Sequence, residues 1–191
     1  MAIKLITPPA SEPVSLTEAK LHLRVDTSAD DTYIANLITA ARQHLETIVL
    51  QKALGTQTLE YVFSQFPCGE ILIPRPPLQS ITSIKYTDSE GVEHTIDSGD
   101  YVVNTDCSPG LVVPASGSSW PSNSLIPSGG IRIRYQAGYA TVPEMFKHAI
   151  KLLIGHWYEN RSAVSFGSVP GNIQFTINAL CGDRCYGVWE D

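Results

Sequence analysis

The chain has 191 residues and a mass of 20.8 kDa, room for one domain or for a domain carrying a large insertion. With 43% hydrophobic and 17% charged residues, it holds enough apolar material for a core, which excludes a wholly disordered chain. Its 13 Lys and Arg against 19 Asp and Glu give a formal charge of −6; proteins that grip nucleic acid by neutralising phosphates are normally basic, so that class is disfavoured.

The N-terminal residues 1–14 read as extended, because Pro8, Pro9 and Pro13 block a helix. Ser15 and Glu18 then form a capping box, in which the hydroxyl caps the Glu18 amide and the carboxylate reaches back. A short helix is predicted over about 16–23, with Leu16, Ala19 and Leu23 on one face. A polar break follows, and Asp30 and Asp31 place negative charge at the start of the next helix, where the macrodipole favours it. That second helix, about 30–50, carries Ile34, Leu37, Ile38, Ala41, Leu45, Ile48 and Val49 in one apolar stripe. Arg42, His44 and Glu46 are assigned to its other face.

From about 56 to 137 the period changes to two. Strands are predicted around Gln57–Phe63, Glu70–Pro74, Ser80–Tyr86, Tyr101–Val103, Leu111–Val113 and Ile131–Tyr135. The offset between Ile81 and Ile84 suggests a bulge, and Asp88–Gly91 reads as a hairpin turn. A loop rich in Ser, Pro and Gly at 114–130 holds Trp120 and Pro121. Helical period returns after Pro143, with Met145, Phe146, Ala149, Ile150, Leu153, Ile154 and Trp157 in the stripe of a third helix, about 143–160. Residues 161–172 read as a loop and 173–182 as a short last helix. The fold class is α+β. A small α-helical bundle of N- and C-terminal helices (residues 1–55 and 138–191) carries a β-rich antiparallel insertion, residues 56–137.

No apolar stretch approaches the ~20 residues of a membrane span. The opening MAIKLITPPA lacks the apolar core and cleavage site of a secretory signal. Synthesis in a reducing host cytoplasm is therefore expected, with Cys68, Cys107, Cys181 and Cys185 as free thiols.

Enzyme signatures are absent. There is no Walker-type phosphate loop, no G-x-G-x-x-G and no H-E-x-x-H. Gly167–Gly171 resembles a nucleophile elbow in outline but has Val169 where the nucleophile would stand. Cys181 and Cys185 lack a second ligand pair, and His148 and His156 are separated by ~12 Å of helical rise, too far to share one metal. Asp88, Glu90, Asp97, Asp100 and Asp106 lack the spacing of an EF-hand and read as turn residues. No catalytic residue, cofactor or metal is therefore expected.

Aromatic residues supply the binding candidates. Trp157, Tyr158, Asn160 and Arg161 crowd the end of the third helix. They form either a binding platform or a core Trp157 with Tyr158 as cover and Arg161 complementing the helix C-terminus. Tyr186, Val188 and Trp189 lie in the last six residues, an apolar tail suited either to docking on a partner or to folding back on its own core. Trp120 and Phe166 sit in loops and are candidate partner contacts.

The blocks PVSLTEAKLHLRV, DDTYIANLITAARQHLETI, FPCGEILIPRPPLQSITSIKYTDSEG, IRIRYQAGY and VPEMFKHAIKLLIGHWYENR together resemble the head–tail connector (adaptor, or neck) proteins of tailed double-stranded DNA bacteriophages and prophages. The likeness covers about residues 13–184. It implies a structural, non-enzymatic virion protein located at the neck. Such a protein forms a ring of about twelve copies under the portal protein through heterologous contacts. It extends the DNA channel after packaging and joins the capsid to a downstream stopper or tail-completion protein. Viral dsDNA would pass through without sequence-specific binding, and an acidic chain suits a lumen that does not hold phosphates. Tyr186, Val188 and Trp189 become the portal-docking candidates. The rival class is a ligand- or carbohydrate-binding β module built on the insertion and Trp120, which would need a concave, aromatic-lined pocket.

Overall fold

The computed structural model describes residues 1–122, 125–161, 176, 177 and 180. The chain divides into two units: one takes Met1–Ala10 and Gly55–Ala140, the other Ser11–Leu54 and the chain from Thr141 onward. One is built of antiparallel strands and the other of helices, the α+β arrangement expected from the change of period.

In the helical unit, α1 spans Leu16–Leu23. The Ser15 hydroxyl accepts from the Glu18 amide at 3.2 Å, and the Glu18 carboxylate accepts from the Ser15 amide at 2.8 Å. Both orphan donors of the capping box are thereby satisfied. Arg24, in the left-handed region at φ 57°, ends the helix. Helix α2, Asp31–His44, runs into a wide π turn at Leu45–Val49, where the Leu50 amide bonds to the carbonyl of Leu45 at 2.8 Å.

The π turn corrects two sequence expectations. A regular α-helix would place Ile48 in the stripe with Ala41 and Leu45. The extra residue in the turn rotates the chain, leaving Ile48 68% exposed. Arg42 and Glu46, expected on the outward face, are buried instead, at 3% and 6% exposure. Helix α3, Glu144–Glu159, buries Phe146, Ala149, Ile150, Leu153 and Ile154 as predicted, whereas Met145 in its first turn is exposed. Helices α1, α2 and α3 pack pairwise. Thr176, Ile177 and Leu180 are helical, and Ile177 is buried.

The other unit has a five-stranded antiparallel sheet in the order β1-β2-β8-β4-β5 and a three-stranded sheet in the order β3-β7-β6. Their spans are β1 Ala2–Thr7, β2 Gln57–Phe63, β3 Ile71–Ile73, β4 Leu78–Thr87, β5 Glu93–Ile96, β6 Tyr101–Asn104, β7 Gly110–Pro114 and β8 Ile131–Ala137. Strand β8 alternates strictly, with Ile131, Ile133, Tyr135 and Ala137 buried and Arg132, Arg134 and Gln136 exposed. The expected bulge is present as a register shift between Ile81 and Ser83 in the β4–β8 ladder. The expected turn at Asp88–Gly91 joins β4 to β5, with the Asp88 carboxylate accepting from the amides of Glu90 and Val92.

Strand β1 differs from expectation. The sequence pattern groups residues 1–10 with the helices, but β1 pairs with β2 from Ala2↔Val62 to Thr7↔Thr58 and so belongs to the β unit. Its burial carries no alternation, since all six residues are exposed, so its partner could not be read from periodicity. At Gly138 the backbone requires glycine: φ is +120°, and a Cβ there would lie 2.1 Å from the carbonyl oxygen of Gly55.

Candidate functional site

In the β unit, Trp120 anchors an aromatic platform at the loop end of the sheet. Its ring stacks on Phe66 with centroids 5.4 Å apart and planes 7° from parallel. Its indole N–H donates to the Gly69 carbonyl at 2.6 Å. Phe66 in turn meets Phe63 and Tyr86 edge-on, at 6.3 Å and 6.1 Å. Tyr86 stacks on His94 at 4.9 Å, and His94 Nε2 lies 2.7 Å from Asp88 Oδ2. The hydrogen bond from His94, with help from the Val92 amide, holds the Asp88 carboxyl below its ordinary range.

Two clefts flank the Trp120–Pro121 ridge and share Pro121. One, about 380 Å³, is lined by Ser64, Phe66, Leu125, Ile126 and Pro127 among others. The other, about 260 Å³, is lined by Tyr86, Thr95, Ile96, Asp100 and Ser118 among others. One face of the Trp120 ring and its N–H are already engaged by Phe66 and Gly69. The indole therefore shapes the ridge, and the open surfaces are clefts of a size for protruding side chains of a partner.

In the helical unit, the residues at the end of α3 meet the start of α2. Asp30 Oδ2 accepts from the Tyr158 hydroxyl at 2.6 Å and from Arg161 Nη2 at 2.8 Å. The Arg161 guanidinium lies 4.7 Å from the centroid of the Tyr33 ring and 4.6 Å from that of Tyr158, a cation–π contact with both rings. The hydrogen bonds of Arg161 and then Tyr158 pull the Asp30 carboxyl down, and the same bond to Asp30 pushes the Tyr158 phenol up. Arg161 was expected to complement the C-terminus of its own helix. That place is taken by Asn160, whose side-chain amide donates to the His156 carbonyl at 2.9 Å. Trp157 is half-buried and rests edge-on against His44 at 5.8 Å.

The helical unit also holds an ion triad in which Arg42 and Glu46 are buried and Glu12 is half-buried. Arg42 donates to Glu12 through Nε at 2.7 Å and to Glu46 through Nη1 at 2.7 Å. Glu12 also accepts from Thr39 at 3.0 Å, and Glu46 from the Leu54 amide at 2.8 Å. Burial opposes the Arg42 charge, but the two carboxylates more than offset it and raise its pKa. The triad ties the segment before α1 to the π turn and to the chain leaving it.

Of the residues singled out in the sequence, Trp120 is on the platform, while Phe166, Tyr186, Val188 and Trp189 lie outside the described residues. Cys68 and Cys107 are free thiols, and Cys181 and Cys185 also lie outside. Among the described residues, no group of three His, Cys, Asp or Glu side chains could hold a metal ion, and no helix is long and apolar enough to cross a membrane. Sequence reasoning missed Phe66 as the stacking partner of Trp120, Tyr86 and His94 as the rings that continue the platform, and Tyr33 and Asp30 as partners of Arg161. Their only local signal was an aromatic or acidic residue at an element end.

A family model described as head completion protein matches residues 13–179. No curated protein matches the chain. Among solved structures, the chain is similar to one in the neck of an empty GTA particle computed with C6 symmetry, at 22% identity and TM-score 0.77. A chain of the virion of the native gene transfer agent particle gives 22% and 0.76. One in the neck of the native GTA particle computed with C12 symmetry gives 19% and 0.72. Each likeness covers 100% of this chain and 99% of the other.

Proposed function

The chain belongs to the head completion protein family, and from that premise we propose that it is a structural adaptor of the phage neck. In this reading, copies form a ring beneath the portal protein, extend the DNA channel and join the head to a downstream stopper or tail-completion protein after packaging. The observation that carries the reading is the family match, which spans both helical blocks and the β insertion. The end-to-end likeness to chains of GTA necks treated with cyclic symmetry supports a ring. A non-enzymatic role is consistent with how the polar groups are used: Asp30, Arg42, Glu46 and Asp88 all hold structure together.

Within that ring we assign the tail residues Tyr186, Val188 and Trp189 to the portal and the Trp120 ridge with its two clefts to the downstream partner. Viral DNA passes without base-specific contacts. Negative-stain electron microscopy of the chain mixed with its own portal rings tests the reading. An added layer on the portal is the expected result. A chain that ignores the portal at high concentration overturns it. Deleting residues 185–191 is expected to leave a folded chain that no longer docks; normal docking by the truncated chain would remove the tail assignment and leave the adaptor reading standing.

A further inference from the structure

Sheets in monomeric proteins protect their edges with short strands, charges, prolines, bulges or a covering loop. Strand β1 is protected poorly. It is six residues long and every residue is exposed. Ile3, Leu5 and Ile6 are 40%, 51% and 41% exposed. Its one charged residue is Lys4, and its irregularity is confined to the Leu5/Thr7 end. The opposite edge of the same sheet is β5, four strand positions away and so ~19 Å distant across the ladder. That edge is acidic: Asp88, Glu90, Glu93, Asp97 and Asp100 lie within or beside it. Glu93 is paired with Lys85 and Asp88 with His94. Glu90, Asp97 and Asp100 have no ion pair among the described residues, and neither has Lys4. Beside β5 runs the cleft of about 260 Å³ that Ile96 helps to line.

We propose that β1 of one copy adds to the β5 edge of a second copy of this chain, extending the five-stranded sheet from subunit to subunit. Charge selects this pairing over its alternatives. A β5–β5 contact would set two acidic edges against each other, and a β1–β1 contact would bring two Lys4 side chains together with no carboxylate but Glu60, which Arg134 already holds. Only β1 against β5 brings Lys4 to carboxylates that no ion pair occupies, since its ladder neighbour Glu60 is held by Arg134, and it sets the exposed edge of β1 beside the cleft. One edge meeting the other is a heterologous contact, of the kind that propagates head to tail and closes into a ring when the rotation allows. The two edges sit at opposite ends of one sheet, so they cannot meet within one copy. The inference stands on these edges and does not depend on the neck reading.

Zero-length carbodiimide cross-linking of an equal mixture of ¹⁴N- and ¹⁵N-labelled full-length chain tests it, with the sites read by mass spectrometry. The reaction is run on the free chain at millimolar concentration and on any layer assembled on portal rings. The expected product is an isotopically mixed amide joining Lys4 to Glu90, Asp97 or Asp100. Leu5→Glu is expected to cut its yield about tenfold, as one repelling charge set at the edge would. Adding Asp97→Lys and Asp100→Lys to that variant is expected to restore association, with mixed links from the new glutamate to the new lysines. Such rescue cannot come from a misfolded chain. Absence of mixed Lys4 links in both samples overturns the proposal, as do Lys4 links solely within one copy or to acids elsewhere, including Glu190 or Asp191. A portal-bound layer without the Lys4 link overturns the edge contact alone, whereas a link in a chain that ignores the portal overturns the neck reading alone.

Discussion

Arg42 shows how one buried charge holds three segments. Removing it takes away the guanidinium that Glu12 and Glu46 share, so Arg42→Ala is expected to cost about 3–5 kcal/mol, seen as a lowered urea midpoint. The triple variant Glu12→Gln, Arg42→Met, Glu46→Gln is expected to lose less, because the guanidinium and its two carboxylates go together and the amide oxygen of the substituted side chain can still accept from the Leu54 amide. Asp30 gives a pH prediction. Its folded-state pKa lies below the ordinary value of 3.8, chiefly through the hydrogen bond from Arg161. Its stabilising contribution is therefore complete above the ordinary value and is lost as pH falls through the depressed one. Thermal unfolding followed from neutral pH into that acid range should show a shallower acid loss in Tyr158→Phe and Arg161→Gln than in the unaltered chain.

At the scale of elements, the π turn decides which face of the second helix is wet. Ile48→Gln is expected to change stability by less than about 0.5 kcal/mol, since the side chain is 68% exposed. Ile38→Ala, in the buried stripe, is expected to cost about 2–5 kcal/mol; equal losses in chemical denaturation would contradict the turn. The β unit has its own sensitive point. Gly138→Ala would both strain a φ of +120° and push a Cβ into the Gly55 carbonyl, so a loss above about 2 kcal/mol is expected by the same measurement. Element boundaries were largely legible. Helix α1, helix α3 and strands β2, β4 and β8 are marked by capping chemistry or by clean periodicity, which are local. Strand β5 was not separately foreseen because Glu93-His-Thr-Ile96 is short and mostly polar.

For the whole molecule, the proposed function rests on surfaces rather than on a reaction centre. The Trp120 ridge and the apolar tail are assigned to different partners, and this separation is measurable. Trp120→Ala is expected to leave layer formation on the portal intact while weakening capture of the downstream neck component in a pull-down. Loss of both together would show that the ridge does not serve a separate contact. Of the site residues named from the sequence, Trp120 was recognisable because a Trp-Pro pair in a polar loop stands out. Its supports were not, since Phe66, which stacks on it, and Tyr86, which meets Phe66, are 54 and 34 positions away in the chain.

The sequence by itself determined the α+β class, the order of the three helices and of strands β2, β3, β4, β6, β7 and β8, the capping box, the bulge in β4 and the likeness to phage head–tail connectors. These follow from hydrophobic period, local hydrogen-bonding chemistry and residue patterns, all of which are written within a few positions of one another. Tertiary structure alone decided that β1 joins the sheet, that Arg42 and Glu46 are buried, that Arg161 serves Asp30, and that the sheet has one apolar and one acidic edge. Each of these depends on residues distant in the chain, and no local pattern encodes which distant partner a strand edge or a charged side chain will find.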